Sequence, residues 1–131
     1  MKDLPETVQR VAAQLQAQGH PHPPQMLGDA CRTAQQAADA LGIAVGQVAK
    51  SIIFRRKDDD AAVLVITSGD RRVDEKKVVA LVGAIGRADA QFVKERTGFS
   101  IGGVSPVAHA TPPVTLIDRD LLRFDVVWAA A

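Results

Sequence analysis

The chain has 131 residues, 47% of them hydrophobic and 24% charged, with a formal net charge of +1 at pH 7. That length supports one domain around one core, and the near-neutral balance argues against a protein that grips a long duplex by many phosphates, so DNA is not an expected partner. No apolar run is long enough for a membrane span, the opening Met1-Lys2-Asp3-Leu4-Pro5 lacks a signal-peptide core, and the single Cys31 suits a reducing compartment, so the expectation is a cytoplasmic protein without a membrane partner.

Apolar residues at Leu4, Val8, Val11, Ala12 and Leu15 recur at helical spacing and predict an amphipathic helix from Pro5 to about Gln18, ended by Gly19. The run Gly19-His20-Pro21-His22-Pro23-Pro24 cannot be helical and reads as an extended connector. His20 and His22 lack further clustered ligands, so they read as loop residues and no metal site is expected. Thr33-Ala34-Gln35-Gln36 matches a capping box, in which Thr33 and Gln36 satisfy each other's backbone amides. The helix it opens carries a small-residue face at Ala34, Ala37, Ala38 and Leu41, and Gly42 is placed to stop it.

Lys50-Ser51-Ile52-Ile53-Phe54-Arg55 reads as a strand with a lysine at its entrance. Asp58-Asp59-Asp60 reads as a hairpin loop, and Ala62-Val63-Leu64-Val65-Ile66 as a strand buried on both faces. Gly69-Asp70 turns the chain. Asp74 caps a helix through Val82, stopped by Gly83; Asp89 caps another from Ala90 to about Thr97, closed by Gly98. Val114–Asp118 and Phe124–Trp128 read as two more strands, joined by a turn through Arg119–Arg123. This order is not a βαβ alternation, so the expected fold is α+β: a single domain with a mixed, curved, barrel-like sheet flanked by helices. The basic clusters Arg55-Arg56-Lys57, Arg71-Arg72 and Lys76-Lys77 have two readings, as a hold on a few phosphates of a single-stranded end or as solvated positions balanced by neighbouring acids.

The densest concentration of backbone-permissive residues is Thr97-Gly98-Phe99-Ser100-Ile101-Gly102-Gly103-Val104-Ser105-Pro106. Three glycines in six positions suggest positive φ or close approach to a ligand, and Pro106 presses Ser105 towards an extended conformation. Such a loop can present N–H groups to an anion or a polarised carbonyl. It also reads as a helix cap at Gly98 followed by an ordinary turn.

Four features together resemble the YbaK/prolyl-tRNA-synthetase-associated domains, a family of trans-editing aminoacyl-tRNA deacylases. They are Thr33-Ala34-Gln35-Gln36-Ala37-Ala38 before Leu41-Gly42, Lys50-Ser51 opening an apolar strand, Gly69-Asp70 after the second strand, and the glycine loop through Pro106. The likeness runs over nearly the whole chain, residues 1–131. It implies a YbaK-like fold and a role in hydrolysing the ester of mischarged tRNA, chiefly tRNA for proline carrying a small amino acid. The family's usual last loop, strand and helix would follow the point where this chain stops.

The resemblance further implies that the lysine at Lys50 is essential and that the glycine loop lines the pocket for the aminoacyl group and terminal adenosine. Catalytic roles are therefore expected of Lys50 and of the Gly102 and Gly103 amides. Substrate contacts are expected from Thr33, Ser51, Gly69, Gly98, Ile101, Ser105, Pro106 and, as a distant possible base, His109. The implied partners are the acceptor end of aminoacyl-tRNA and prolyl-tRNA synthetase; no cofactor is expected, and the chain reads as a monomer. An ester on a ribose is already activated, so positioning, water and donors for the developing oxyanion suffice. The residues agree: no Gly-x-Ser-x-Gly elbow, nucleophile–base set or metal motif is present. The alternatives are a non-catalytic module that holds a nucleotide or tRNA end in the same pocket, and a general esterase.

Overall fold

In the computed structural model, which describes residues 5–27 and 33–131, the organising element is the antiparallel hairpin of β1 (Val48–Arg56) and β2 (Ala62–Ser68). Its turn is built by charge. Arg56 grips Asp59 with two hydrogen bonds of 2.8 and 3.0 Å, and Asp60 takes the left-handed conformation at φ 56°. The bond from Arg56 holds the Asp59 carboxyl down to about 2.

Helices cover both faces of the hairpin. On one face Val63 and Val65 of β2 pack with Val78 of α3 (Glu75–Val82) and with Phe54, Ile85 and Leu116. On the other, Ile53 packs against a cluster of Val11 from α1 (Glu6–Ala17), Val93 from α4 (Ala90–Thr97), Phe99 and Val104. Burial on both faces is what the continuous apolar run of β2 encodes. The short α2 (Ala34–Leu41) forms the expected capping box at Thr33 and stops at Gly42, whose φ of 68° suits glycine. Asp74 and Asp89 cap α3 and α4 through the amides of Lys77 and Phe92. Cys31 lies outside the described residues.

The sheet is mixed and open, in the order β3-β1-β2-β4, with β3 spanning Ile85–Arg87 and β4 Val114–Ile117. Strand β4 runs parallel to β2, and β5 (Trp128–Ala129) runs parallel to the start of β1. One edge of β1 is thus shared: β5 pairs with Val48 and Ala49, β3 pairs with Phe54 to Arg56, and among the described residues no strand lies beside Lys50–Ile53 on that edge.

One sequence expectation needs correction, and two features go beyond the sequence reading. The expected mixed sheet flanked by helices is present, and it does not close as a barrel would. The segment Ile85–Arg87 is a strand that three residues were too few to signal. The expected strand Phe124–Trp128 is reduced to its last residue. Asp118 caps a 3-10 turn over Arg119–Arg123, and Arg123 is tied to Asp70 at 2.7 Å, so the chain meets the edge of β1 only at Trp128.

Candidate functional site

The gap in the edge of β1 opens onto a cavity of about 1110 Å³, walled by α1, α2, the connector after α1, the glycine loop and the residues around β5. All four residues of the gap, Lys50, Ser51, Ile52 and Ile53, line it. Of the residues singled out from sequence, the cavity brings together Thr33, Lys50, Ser51, Ile101, Gly102, Ser105 and Pro106. It does not include Gly69, Gly98, Gly103 or His109.

The glycine loop owes its shape to an internal anchor. Gly98 ends α4 at φ 81°, and Phe99, 1% exposed, drops into the core beneath. The Thr97 hydroxyl, donating to Val93 O at 2.6 Å and accepting from the Phe99 amide at 3.0 Å, fixes that descent. Arg10 of α1 lies 4.6 Å over the Phe99 ring, donates to the Thr97 carbonyl at 3.3 Å and fills the space a side chain at Gly98 would need. Gly98 is therefore a structural glycine rather than a pocket residue.

Beyond Phe99 the loop makes a tight turn. Gly103 donates its amide to the Ser100 carbonyl at 2.9 Å, and Gly102 sits at φ 87° with open space around it. Of the two amides expected as oxyanion donors, that of Gly103 is engaged inside the turn, while that of Gly102 has no partner among the described residues. Ser105 is buried, with its Oγ accepting from the Val107 amide at 3.1 Å.

His109, the expected distant base, does not line the cavity. Its Nε2 is 2.6 Å from the Ser105 carbonyl, to which the neutral ring donates, and its ring meets Phe99 edge-on at 5.5 Å. Burial, with a smaller push from Arg10, moves its pKa below the usual value, and Nδ1 is buried with no partner among the described residues. The side chain braces the loop from inside.

Lys50 and Ser51 point to opposite faces of β1. Ser51 shares its face with Ile53, and its Oγ is buried with no hydrogen-bond partner among the described residues. Lys50 lies opposite Thr67 in the register, and its side chain also borders a smaller hollow with Ile52, Phe54, Thr67 and Arg72. Its Nζ donates to the Arg71 carbonyl at 3.0 Å. Among the described residues no carboxylate comes within 4.0 Å of it, and the bond to Arg71 uses one of the three ammonium donors.

Gly69 serves this arrangement from outside the cavity. A Cβ there would stand 2.4 Å from the Val45 carbonyl oxygen, so only glycine lets the chain pass. Asp70 follows, and the Ser68 hydroxyl at 2.8 Å, then Arg123 at 2.7 Å, hold its carboxyl below the usual carboxylate range against the opposing effect of burial.

The cavity wall also uses residues to which the sequence assigned no role: Met26 and Gln25 of the connector, and Val126, Val127 and Trp128 near β5. Exposed hydrophobics at Met26, 61%, and Val126, 59%, are the only hint they offer, and it needs coordinates. His20 and His22 stand at the cavity but bond to each other, His22 N donating to His20 Nδ1 at 3.1 Å. Among the described residues no group of three or more metal-ligating side chains occurs, and no helix is long and apolar enough to cross a membrane. The arrangement suits a ligand with a small apolar part and a polar or anionic end. Among the described residues no nucleophile–base pair is formed at it.

Residues 29–131 match the family model for the aminoacyl-tRNA editing domain. A solved structure provisionally assigned as a trans-editing enzyme for prolyl tRNA synthetase superposes with a TM-score of 0.90 at 41% identity, covering 98% of this chain and 82% of that one. The uncharacterised protein YwhH of Bacillus subtilis is 36% identical over 99 residues, 75% of this chain and 62% of its own length. A proline–tRNA ligase of Thermoanaerobacter is 29% identical over 94 residues, 69% of this chain but 16% of the ligase.

Proposed function

The chain belongs to the aminoacyl-tRNA editing domain family, and from that premise we propose that it is a deacylase that hydrolyses the ester of mischarged tRNA. The substrate we propose is tRNA for proline carrying a small non-cognate amino acid, which agrees with the likeness to proline–tRNA ligases and to the trans-editing structure. The observation that carries the reading is that Lys50, Ser51 and Gly102 line one largely apolar cavity, with no carboxylate within 4.0 Å of the Lys50 ammonium and no partner for the Gly102 amide among the described residues.

In this reading the aminoacyl side chain enters the apolar part of the cavity, where size excludes larger residues. The Gly102 amide donates to the ester carbonyl as negative charge develops on it. Lys50 turns its remaining N–H groups to the ribose or the terminal phosphate, and the Ser51 hydroxyl takes the substrate's amino or hydroxyl group. Water is the nucleophile. The ester is labile enough that positioning and oxyanion stabilisation account for the rate, and loss of one preorganised donor lowers it about a hundredfold or more.

The test is release of free amino acid from a panel of mischarged tRNAs by the parent chain and by Lys50→Ala. A fall of about a hundredfold in kcat on tRNA for proline carrying alanine, serine or cysteine supports the reading. Equal turnover by the two proteins refutes the role of Lys50. Binding of charged tRNA without turnover by the parent assigns the site to a binding module, and comparable turnover of simple esters assigns it to a general esterase.

A further inference from the structure

Lys50 reaches its partner through a loop that is itself held at a distance. The acceptor is the main-chain carbonyl of Arg71, so the loop after β2 decides where the ammonium sits. Three segments meet to hold that loop: the 3-10 turn Val45–Gln47, the end of β2, and the turn Arg119–Arg123. Asp70 and Arg123 are the point of contact. Arg123 Nη2 lies 2.7 Å from Asp70 Oδ2 and 3.4 Å from Ser68 Oγ, and its guanidinium rests 4.6 Å over the Phe124 ring.

Ser68 shares its proton between the Asp70 carboxylate and the Gly46 carbonyl, 2.6 Å away. A Cβ at Gly46 would stand 2.5 Å from Arg123 Nη2 and 2.8 Å from Asp70 Oδ2, so the pair is packed against bare backbone. Arg71 adds a looser tie, with its Nε 3.6 Å from both Asp70 and Asp120. The Arg71 amide donates to the Ser68 carbonyl at 3.0 Å, which links the clamped residue to the carbonyl that receives Lys50.

We propose that the Asp70–Arg123 ion pair is a positioning device for the Lys50 ammonium, acting through the Arg71 carbonyl. Neither side chain lines the cavity, so their effect on a reaction there passes through Lys50. The proposal rests on Lys50 taking part in the reaction. It adds that a pair on the far side of the sheet edge sets the ammonium's resting place.

The experiment uses the whole chain with 13C-labelled lysine, the Lys50 ε-methylene signal being identified by its loss in Lys50→Ala. In Arg123→Ala the signal shifts or broadens, and kcat on mischarged tRNA falls roughly fivefold, the scale of one partly exposed ion pair, with KM unchanged. Arg123→Lys, which keeps the charge, restores most of both. In a Lys50→Ala background Arg123→Ala lowers kcat no further. A Lys50 signal that superposes on the parent's in a folded Arg123→Ala overturns the proposal, as does a fivefold loss that persists without Lys50. If Arg123→Ala fails to fold, Asp70→Asn takes its place under the same criteria. If Lys50→Ala leaves turnover intact, it is the role of Lys50 in the reaction that fails, and the lysine signal alone decides whether the pair positions the ammonium.

Discussion

Replacing Gly69 by Ala is the sharpest test of how the loop after β2 is built. The added methyl would meet the Val45 carbonyl oxygen at 2.4 Å, Ala34 Cβ at 3.1 Å and the Val48 carbonyl oxygen at 3.2 Å. The first contact is about 1 Å inside ordinary van der Waals distance, and two of the three atoms belong to backbone, which cannot rotate aside. Overpacking of this kind costs about 1–3 kcal/mol and more where the neighbours are fixed, so about 3 kcal/mol is expected, a fall of roughly 10 °C in Tm for a chain of this size.

Gly42→Ala is the control. Nothing lies within 4 Å of its added methyl, and only the φ of 68° opposes it, so about 1 kcal/mol is expected. Urea unfolding of both variants with an unchanged m-value gives the comparison. A Gly69→Ala protein no less stable than Gly42→Ala would refute the close approach of Gly69 to the Val45 carbonyl.

Three further outcomes follow from the same geometry. Ser51→Ala removes a buried hydroxyl without a partner among the described residues and so gains about 1 kcal/mol in stability while weakening charged-tRNA binding; loss of stability would mean that the hydroxyl is satisfied within the protein. Phe99→Ala empties the site beneath the glycine loop and costs about 3–5 kcal/mol by denaturant unfolding; a cost under about 1 kcal/mol would mean the loop does not rest on that ring. The pKa of His109 is lowered in the folded chain, so the unfolded chain binds its proton first. Its contribution is therefore complete above about pH 6.5 and declines as pH falls below that value, and the drop in Tm between about pH 7.5 and 5.5 is smaller in His109→Gln than in the parent; equal drops would refute the buried neutral ring.

The helices and the central hairpin were legible because each is written locally. Thr33, Asp74 and Asp89 are caps whose partners lie three residues on, and the run after Ala62 is apolar because it is covered on both faces. What could not be read depends on residues distant in the chain. Ile85–Arg87 is a strand only because the end of β1 is beside it, and Phe124–Val127 is not one because Arg123 is held by a residue more than fifty positions earlier.

The site divides in the same way. Lys50, Ser51 and Gly102 reach the cavity, as a pattern of motif residues suggested. Gly98 and Gly69 instead make room for Arg10 and for the Val45 carbonyl, Gly103 closes its own turn, and His109 holds Ser105. Glycine in a motif looks the same whether it admits a ligand or a neighbouring chain, and the distinction appears only when the neighbour is seen.

The unaccompanied stretch of β1 between its two short neighbours has a bearing on how this chain can change over time. Peptide groups along Lys50–Ile53 border the recess whatever side chains those positions carry, so mutation cannot delete them, short of proline. On the proposed reading, grip and discrimination would be inherited separately: main-chain attachment would be common to any guest, and the side chains would be free to redraw the outline that decides which guest is kept.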